Sequence, residues 1–123
     1  DQVSNFDQII KTAKEKGIHV GWSNPCFEIW MFAYFGSMPA IHESWTCCAK
    51  FAELYKTKTG QIYTKADKNM YGRLCEFGDE GRAIQIAQQK YKQCLREEKT
   101  SPSQMCPATT VYELVDEIRK KIK

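Results

Sequence analysis

The sequence predicts a helix-dominated α/β chain with one recognisable strand and about five helices. Three observations point there. Residues 18–22, IHVGW, alternate apolar with small or polar side chains, as a short half-buried strand does. The run SNPCFEIWMFAYF, 23–35, follows the carboxyl end of that strand and is almost wholly apolar. The rest of the chain spaces its apolar residues by three and four, the helical period. A helix, a glycine, a strand and a second helix make an α/β rhythm. Residues 1–36 are therefore read as an α/β segment and 37–123 as a helical segment, in a single domain or domain fragment.

Each element has its own warrant. Ser4 or Asn5 caps a first helix, with Phe6, Ile9, Ile10 and Ala13 as its inner stripe. Lys11, Lys14 and Lys16 gather near its negative end, and Gly17 is a suitable stop. After the strand, Asn24 reads as an N-cap and Pro25 as the first helical residue. A helix apolar all round belongs in a core, and thirteen residues fall short of the roughly 20 needed to cross a bilayer. Trp45, Cys48, Phe51, Ala52 and Tyr55 predict a helix over about 43–57, and a lysine-rich loop with a turn at Gly60 follows. A short helix over 67–76 and a longer one over 79–98 come next, the latter lined by Ile84, Ala87, Tyr91 and Leu95. Thr110 and Glu113 form a capping box for a last helix lined by Val111, Leu114, Val115, Ile118 and Ile122.

Composition narrows the class. With 42% hydrophobic and 27% charged residues the chain reads as an ordinary globular one, without low-complexity tract, signal peptide or membrane span. Six cysteines, at 26, 47, 48, 75, 94 and 106, fall mostly within helical patterns. No CxxC occurs and the two histidines, His19 and His42, are isolated, so the reading is buried free thiols in a reducing cytoplasm rather than a disulfide framework or a zinc site. Charge is polarised. Lys50, Lys56, Lys58, Lys65, Lys68 and Arg73 against Glu53 and Asp67 leave residues 50–73 at +4, above the +3 of the whole chain.

Several blocks together carry a family resemblance: FDQII before the strand, SNPCFEIW after it, YTKADKNMY followed by GRAIQIA, and PATTVYELVDEI at the close. In these the chain resembles the carboxyl-terminal portion of the RloB-like proteins, a group linked to abortive phage infection and often encoded beside an ATPase partner. The SNPxFExW signature, with Asn24, Pro25 and Trp30, is the most specific part. The family is similar to the Toprim class of magnesium-dependent phosphodiester enzymes, which hold Mg2+ on an early glutamate and a later Asp-x-Asp pair. The resemblance implies that this is the carboxyl-terminal part of a Toprim-like domain. Asp1 stands where the second aspartate of the pair is expected, and Glu28 is a further metal ligand or catalytic base. The early glutamate and the partner aspartate have no counterpart here, so the resemblance implies a fragment that is not by itself a competent nuclease.

Each candidate has two readings. Glu28 is either a site acid or a first-turn carboxylate that favours the helix dipole. Asn24 is a cap or a substrate contact. The lysines at 56, 58, 65 and 68, interleaved with Tyr55, Tyr63 and Tyr71, either track a nucleic-acid backbone or form a solvated face. Lys65, within YTK, is the preferred phosphate contact, and Trp22, Trp30 and Trp45 are read as core. The leading reading is an anti-phage nuclease acting with an ATPase partner. The others are a helical module that docks an ATPase or a second copy of itself, and a nucleic-acid binder without cleavage.

Overall fold

The computed structural model describes residues 2–122, with side chains from residue 5 onward. Among these residues the chain forms six α-helices, one 3-10 turn and two strands of two residues each. The helix-dominated α/β class holds. In order they are α1 (Gln2–Glu15), β1 (Ser23–Asn24), α2 (Glu28–Ala33), α3 (Ser44–Thr59), α4 (Met70–Phe77), α5 (Glu80–Arg96), the 3-10 turn Pro102–Gln104, β2 (Ala108–Thr109) and α6 (Val111–Ile122).

Helix α1 ends as its sequence predicts. Gly17 takes φ +77°, its N–H reaches the Lys14 carbonyl, and Ile18 N–H reaches back to the Ala13 carbonyl. This pair of bonds is a Schellman stop, which needs a left-handed residue and so favours glycine. Gly60 closes α3 in the same left-handed region, and Asp79 caps α5 by accepting from the Arg82 N–H.

The strand differs from the expectation of 18–22. It lies at Ser23–Asn24, antiparallel to β2, with Ser23 opposite Thr109 and Asn24 opposite Ala108. Its partner thus comes from the same chain, 85 residues downstream of Ser23–Asn24. The Thr110 N–H donates to the Trp22 carbonyl and the Trp22 N–H donates to the Thr110 hydroxyl. That hydroxyl therefore ties the strand to the start of α6, where the sequence had assigned it to a capping box.

Asn24 and Pro25 are not cap and first turn. Asn24 is a strand residue, the Asn24–Pro25 peptide is cis, and α2 begins at Glu28 behind Phe27, which offers no side-chain cap. The Asn24 amide instead points to the carbonyls of Pro102, Ser103 and Met105, at 3.3, 3.4 and 3.1 Å. A side chain that can donate twice here satisfies a turn remote in sequence. Local spacing could not show that.

Helix α2 is short and every one of its residues is buried, as a helix apolar all round must be. It packs against α5, α3 and β2 and forms the centre of the main core. The buried stripe of α3 is Cys47, Phe51, Tyr55 and Thr59 rather than one running through Trp45 and Cys48. Trp45 is 80% exposed, whereas Trp22 and Trp30 are buried as expected. Phe51, fully buried, meets the rings of Phe32, Phe35, Tyr55 and Tyr63 at 5.0–6.3 Å, so α2, α3 and the loop after α3 share one aromatic cluster. A second cluster joins Ile10, Trp22, Cys94, Met105 and Ala108 and fixes α1 to α5 and the β2 region. Among the described side chains of α1 only Ile10 is buried, and Ile9 faces out. Ile118 and Ile122 of α6 and Leu95 of α5 are likewise exposed.

Candidate functional site

The fold brings Glu28 to the floor of a cavity of about 670 Å³. Cys26 and Phe27 from the turn before α2, Trp30, Met31 and Tyr34 from α2, and Tyr63, Lys65, Asp67 and Lys68 from the loop between α3 and α4 line it. Met70, Tyr71 and Leu74 of α4 and Val111 and Val115 of α6 complete the wall. The wall is thus mainly aromatic and apolar, and its charges come from one helix start and one loop.

Glu28 is only 3% exposed, a burial that leaves a carboxylate costly unless it is paired. It is paired. The Tyr63 hydroxyl donates to Oε2 at 2.6 Å, and Lys65 Nζ lies 3.5 Å from the same oxygen. Burial pushes the carboxyl pKa up, but the Tyr63 hydrogen bond, a backbone hydrogen bond and the Cys26 and Cys48 thiols outweigh it and hold Glu28 below its ordinary value. The same contact, seen from the loop, raises Lys65, chiefly through the Glu28 charge. Burial and then the bond to Glu28 raise Tyr63, so the phenol stays protonated as the donor. Glu28 is therefore an ionised acceptor, and it is the first residue of its helix rather than the fourth.

Two thiols stand beside it. Cys48 Sγ is 3.8 Å from Cys26 Sγ, and these sulfurs and a Glu28 carboxylate oxygen all lie within 4.8 Å of one another. Burial first, then the contact with Cys47, raises the Cys26 thiol. All six cysteines are free, but only Cys47 and Cys94 are fully buried and Cys75 is exposed, so the expectation of buried thiols holds for two of them. The cluster escaped the sequence reading because 26 and 48 are far apart along the chain and belong to no metal-spacing pattern.

The other end of the cavity is held by a second acid. Tyr34 and Tyr71 donate to the two oxygens of Glu80, at 2.7 and 3.1 Å, and Arg119 lies 3.7 Å from Glu80 Oε1. Asp67 accepts from the Asn69 N–H and pairs with Arg73, which fixes the loop that carries Lys65 and Lys68. Among the described residues no buried side-chain nitrogen or oxygen lacks a partner.

The candidate residues separate in space. Glu28, Lys65, Lys68 and Trp30 meet in the cavity. Lys56 and Lys58 lie on the last turn of α3, outside its lining, and Lys58 borders a different, shallower cleft with Phe77 and Arg82. Asn24 and Pro25 are structural, and Asp1 lies outside the described residues. Magnesium prefers six oxygen ligands in near-octahedral order. The described donors around Glu28 are one carboxylate, two sulfurs, a phenol and an ammonium, and that set alone does not fit Mg2+. Among the described residues, no helix is long and apolar enough to cross a membrane.

Among curated proteins and solved structures, none matches the chain. The family model described as RloB-like protein matches residues 1–118, nearly the whole length. With Cys26, Phe27, Glu28 and Trp30 of SNPCFEIW lining the cavity, the chain belongs to the RloB-like protein family.

Proposed function

We propose that this chain is the nucleic-acid-facing part of an anti-phage effector that cleaves phosphodiester bonds and acts with an ATPase partner. One observation carries the reading: Glu28, Lys65 and Lys68 share a cavity walled by Trp30, Tyr34, Tyr63 and Tyr71. Lysines at a rim attract phosphate, and the exposed ring of Tyr71 offers a face on which an unpaired base can stack, the combination that single-strand binders use. Lys65 and Lys68 hold the backbone, and Glu28 is the acid at the reacting end. The Mg2+ that the resemblance implies would need oxygen ligands apart from the Glu28 carboxylate, whose neighbours are two thiols, a phenol and an ammonium. Asp1 and groups outside the described residues are the proposed source.

Binding is tested with a fluorescent single-stranded oligonucleotide and anisotropy across a salt series. Charge reversal of Lys65 and Lys68 should weaken binding and reduce the salt slope by about one to two. The paired reversal of Lys56 and Lys58, outside the cavity, should do distinctly less. Equal effects of the two pairs would leave a diffuse basic surface and end the cavity reading. A docking module is the second reading, favoured by Trp45 and Ile62, which are 80% and 75% exposed.

A further inference from the structure

Cys26, Cys48 and Glu28 do more than surround an acid. We propose that they bind a thiophilic divalent cation, Zn2+ by donor chemistry, with a water in the fourth position. This goes beyond the nucleic-acid reading and does not depend on it.

The first support is geometric. Two thiolates on a tetrahedral Zn2+, each at about 2.3 Å, stand about 3.8 Å apart. Cys26 Sγ and Cys48 Sγ are 3.8 Å apart without rearrangement. A direct disulfide would need the sulfurs to close to about 2.0 Å. The third donor, a Glu28 oxygen, lies within 4.8 Å of both sulfurs, and a small contraction onto the ion brings all three into its shell. Sulfur with one carboxylate is a borderline-soft set, which suits zinc and disfavours magnesium or calcium.

The second support is placement. Cys26 and Glu28 line the main cavity, and Cys48 lines a smaller neighbouring one with Trp45, Tyr63 and Lys65. The donors are therefore reached from solvent on two sides, while Cys47 turns into the core. The donors also come from two separately anchored segments, the turn leading into α2 with that helix's first residue, and the first half of α3. A shared ion would join them.

Charge balance is the third support. The site now holds one carboxylate charge, matched by Lys65. Binding Zn2+ releases the two thiol protons to solvent and leaves two thiolates, one carboxylate and one dication. The net charge of the site stays at one negative, so Lys65 still compensates it. The Lys65 side chain is 71% exposed and can move aside from the coordinating oxygen at little cost.

Cobalt(II) reports the site directly. Titrated into the reduced full chain without oxygen, Co2+ should produce a thiolate-to-metal charge-transfer band and visible bands of tetrahedral intensity, and Zn2+ should abolish both. Cys26→Ser and Cys48→Ser should each lose the charge-transfer band, whereas Cys75→Ser should retain it. An unsubstituted chain without that band overturns the proposal. So does a Cys26→Ser, Cys48→Ser double variant that keeps it. A measurement on the unsubstituted chain covers the case of variants that do not fold. Zn2+ should protect Cys26 and Cys48, but not Cys75, from iodoacetamide as mapped by mass spectrometry, and equal labelling with and without Zn2+ overturns the site. None of these readouts involves nucleic acid, so loss of metal binding and loss of oligonucleotide binding are separate results.

Discussion

Glu28 is a buried carboxylate whose charge is held by two residues of one loop, Tyr63 and Lys65. That arrangement sets a pH dependence with a definite sign. The folded carboxyl lies below its ordinary value of 4.5 although burial alone would raise it, because the Tyr63 bond and its other donors favour the anion. A depressed folded pKa contributes stability above the unfolded value and loses it as pH falls through the folded one. Urea unfolding of the native chain should therefore weaken from about pH 6 toward about pH 3, beyond the slope shown by Glu28→Gln. The variant retains an acceptor for Tyr63 but no charge, and at neutral pH it should be about 1–2 kcal/mol less stable. Parallel pH curves for the two proteins would mean that Glu28 carries no linked proton. The acid was legible in SNPCFEIW, but its partners were not, since Tyr63 and Lys65 approach it only when the loop after α3 folds over α2.

At the scale of elements, close backbone approaches decide what the sequence pattern leaves open. Gly78 joins α4 to α5, and a Cβ there would lie 2.6 Å from the Tyr34 carbonyl oxygen and 2.8 Å from that of Leu74. Neither oxygen can move without disturbing helix ends. At Gly21 the tightest neighbour of a Cβ is Leu114 Cδ1, at 2.7 Å, the far end of a flexible side chain. Gly78→Ala should thus cost about 2–3 kcal/mol and Gly21→Ala about 1 kcal/mol, as read by thermal unfolding. The reverse order would show that the α2–α4 junction yields more readily than the contact between residue 21 and α6. Helix positions themselves were largely legible, because stops such as Gly17 and caps such as Asp79 act within a few residues. Helix faces were less so. The α3 stripe runs through Cys47 and Phe51, and Trp45 is left in solvent, because the stripe is chosen by where α2 lies and not by apolarity alone. Glu98, which ends α5 at φ +63° with Lys99 N–H reaching the Cys94 carbonyl, is a left-handed stop that no glycine announces.

Across the whole molecule, a few long-range polar ties connect the two ends of the chain. The Asn24 amide holds the carbonyls of 102, 103 and 105, and Asp7 accepts from the backbone and hydroxyl of Ser103. Asn24→Ala removes the donor and should cost about 1–3 kcal/mol. Asn24→Asp should cost more, because a carboxylate has no proton to give and would face three carbonyl oxygens. Chemical denaturation of the two variants checks the order, and an aspartate as stable as the native residue would show that the amide does not donate. The sequence by itself determined the helical class, most helix limits, the family signature and a buried run with an acid at its start, because capping, periodicity and apolarity are local properties. Only the tertiary structure decided that Asn24 is a clasp and not a cap, that the strand lies at 23–24 against 108–109, and that Glu28 meets Lys65, Cys26 and Cys48. Those meetings depend on which surfaces pack around α2, and no residue spacing along the chain encodes the distance between side chains that only packing brings together.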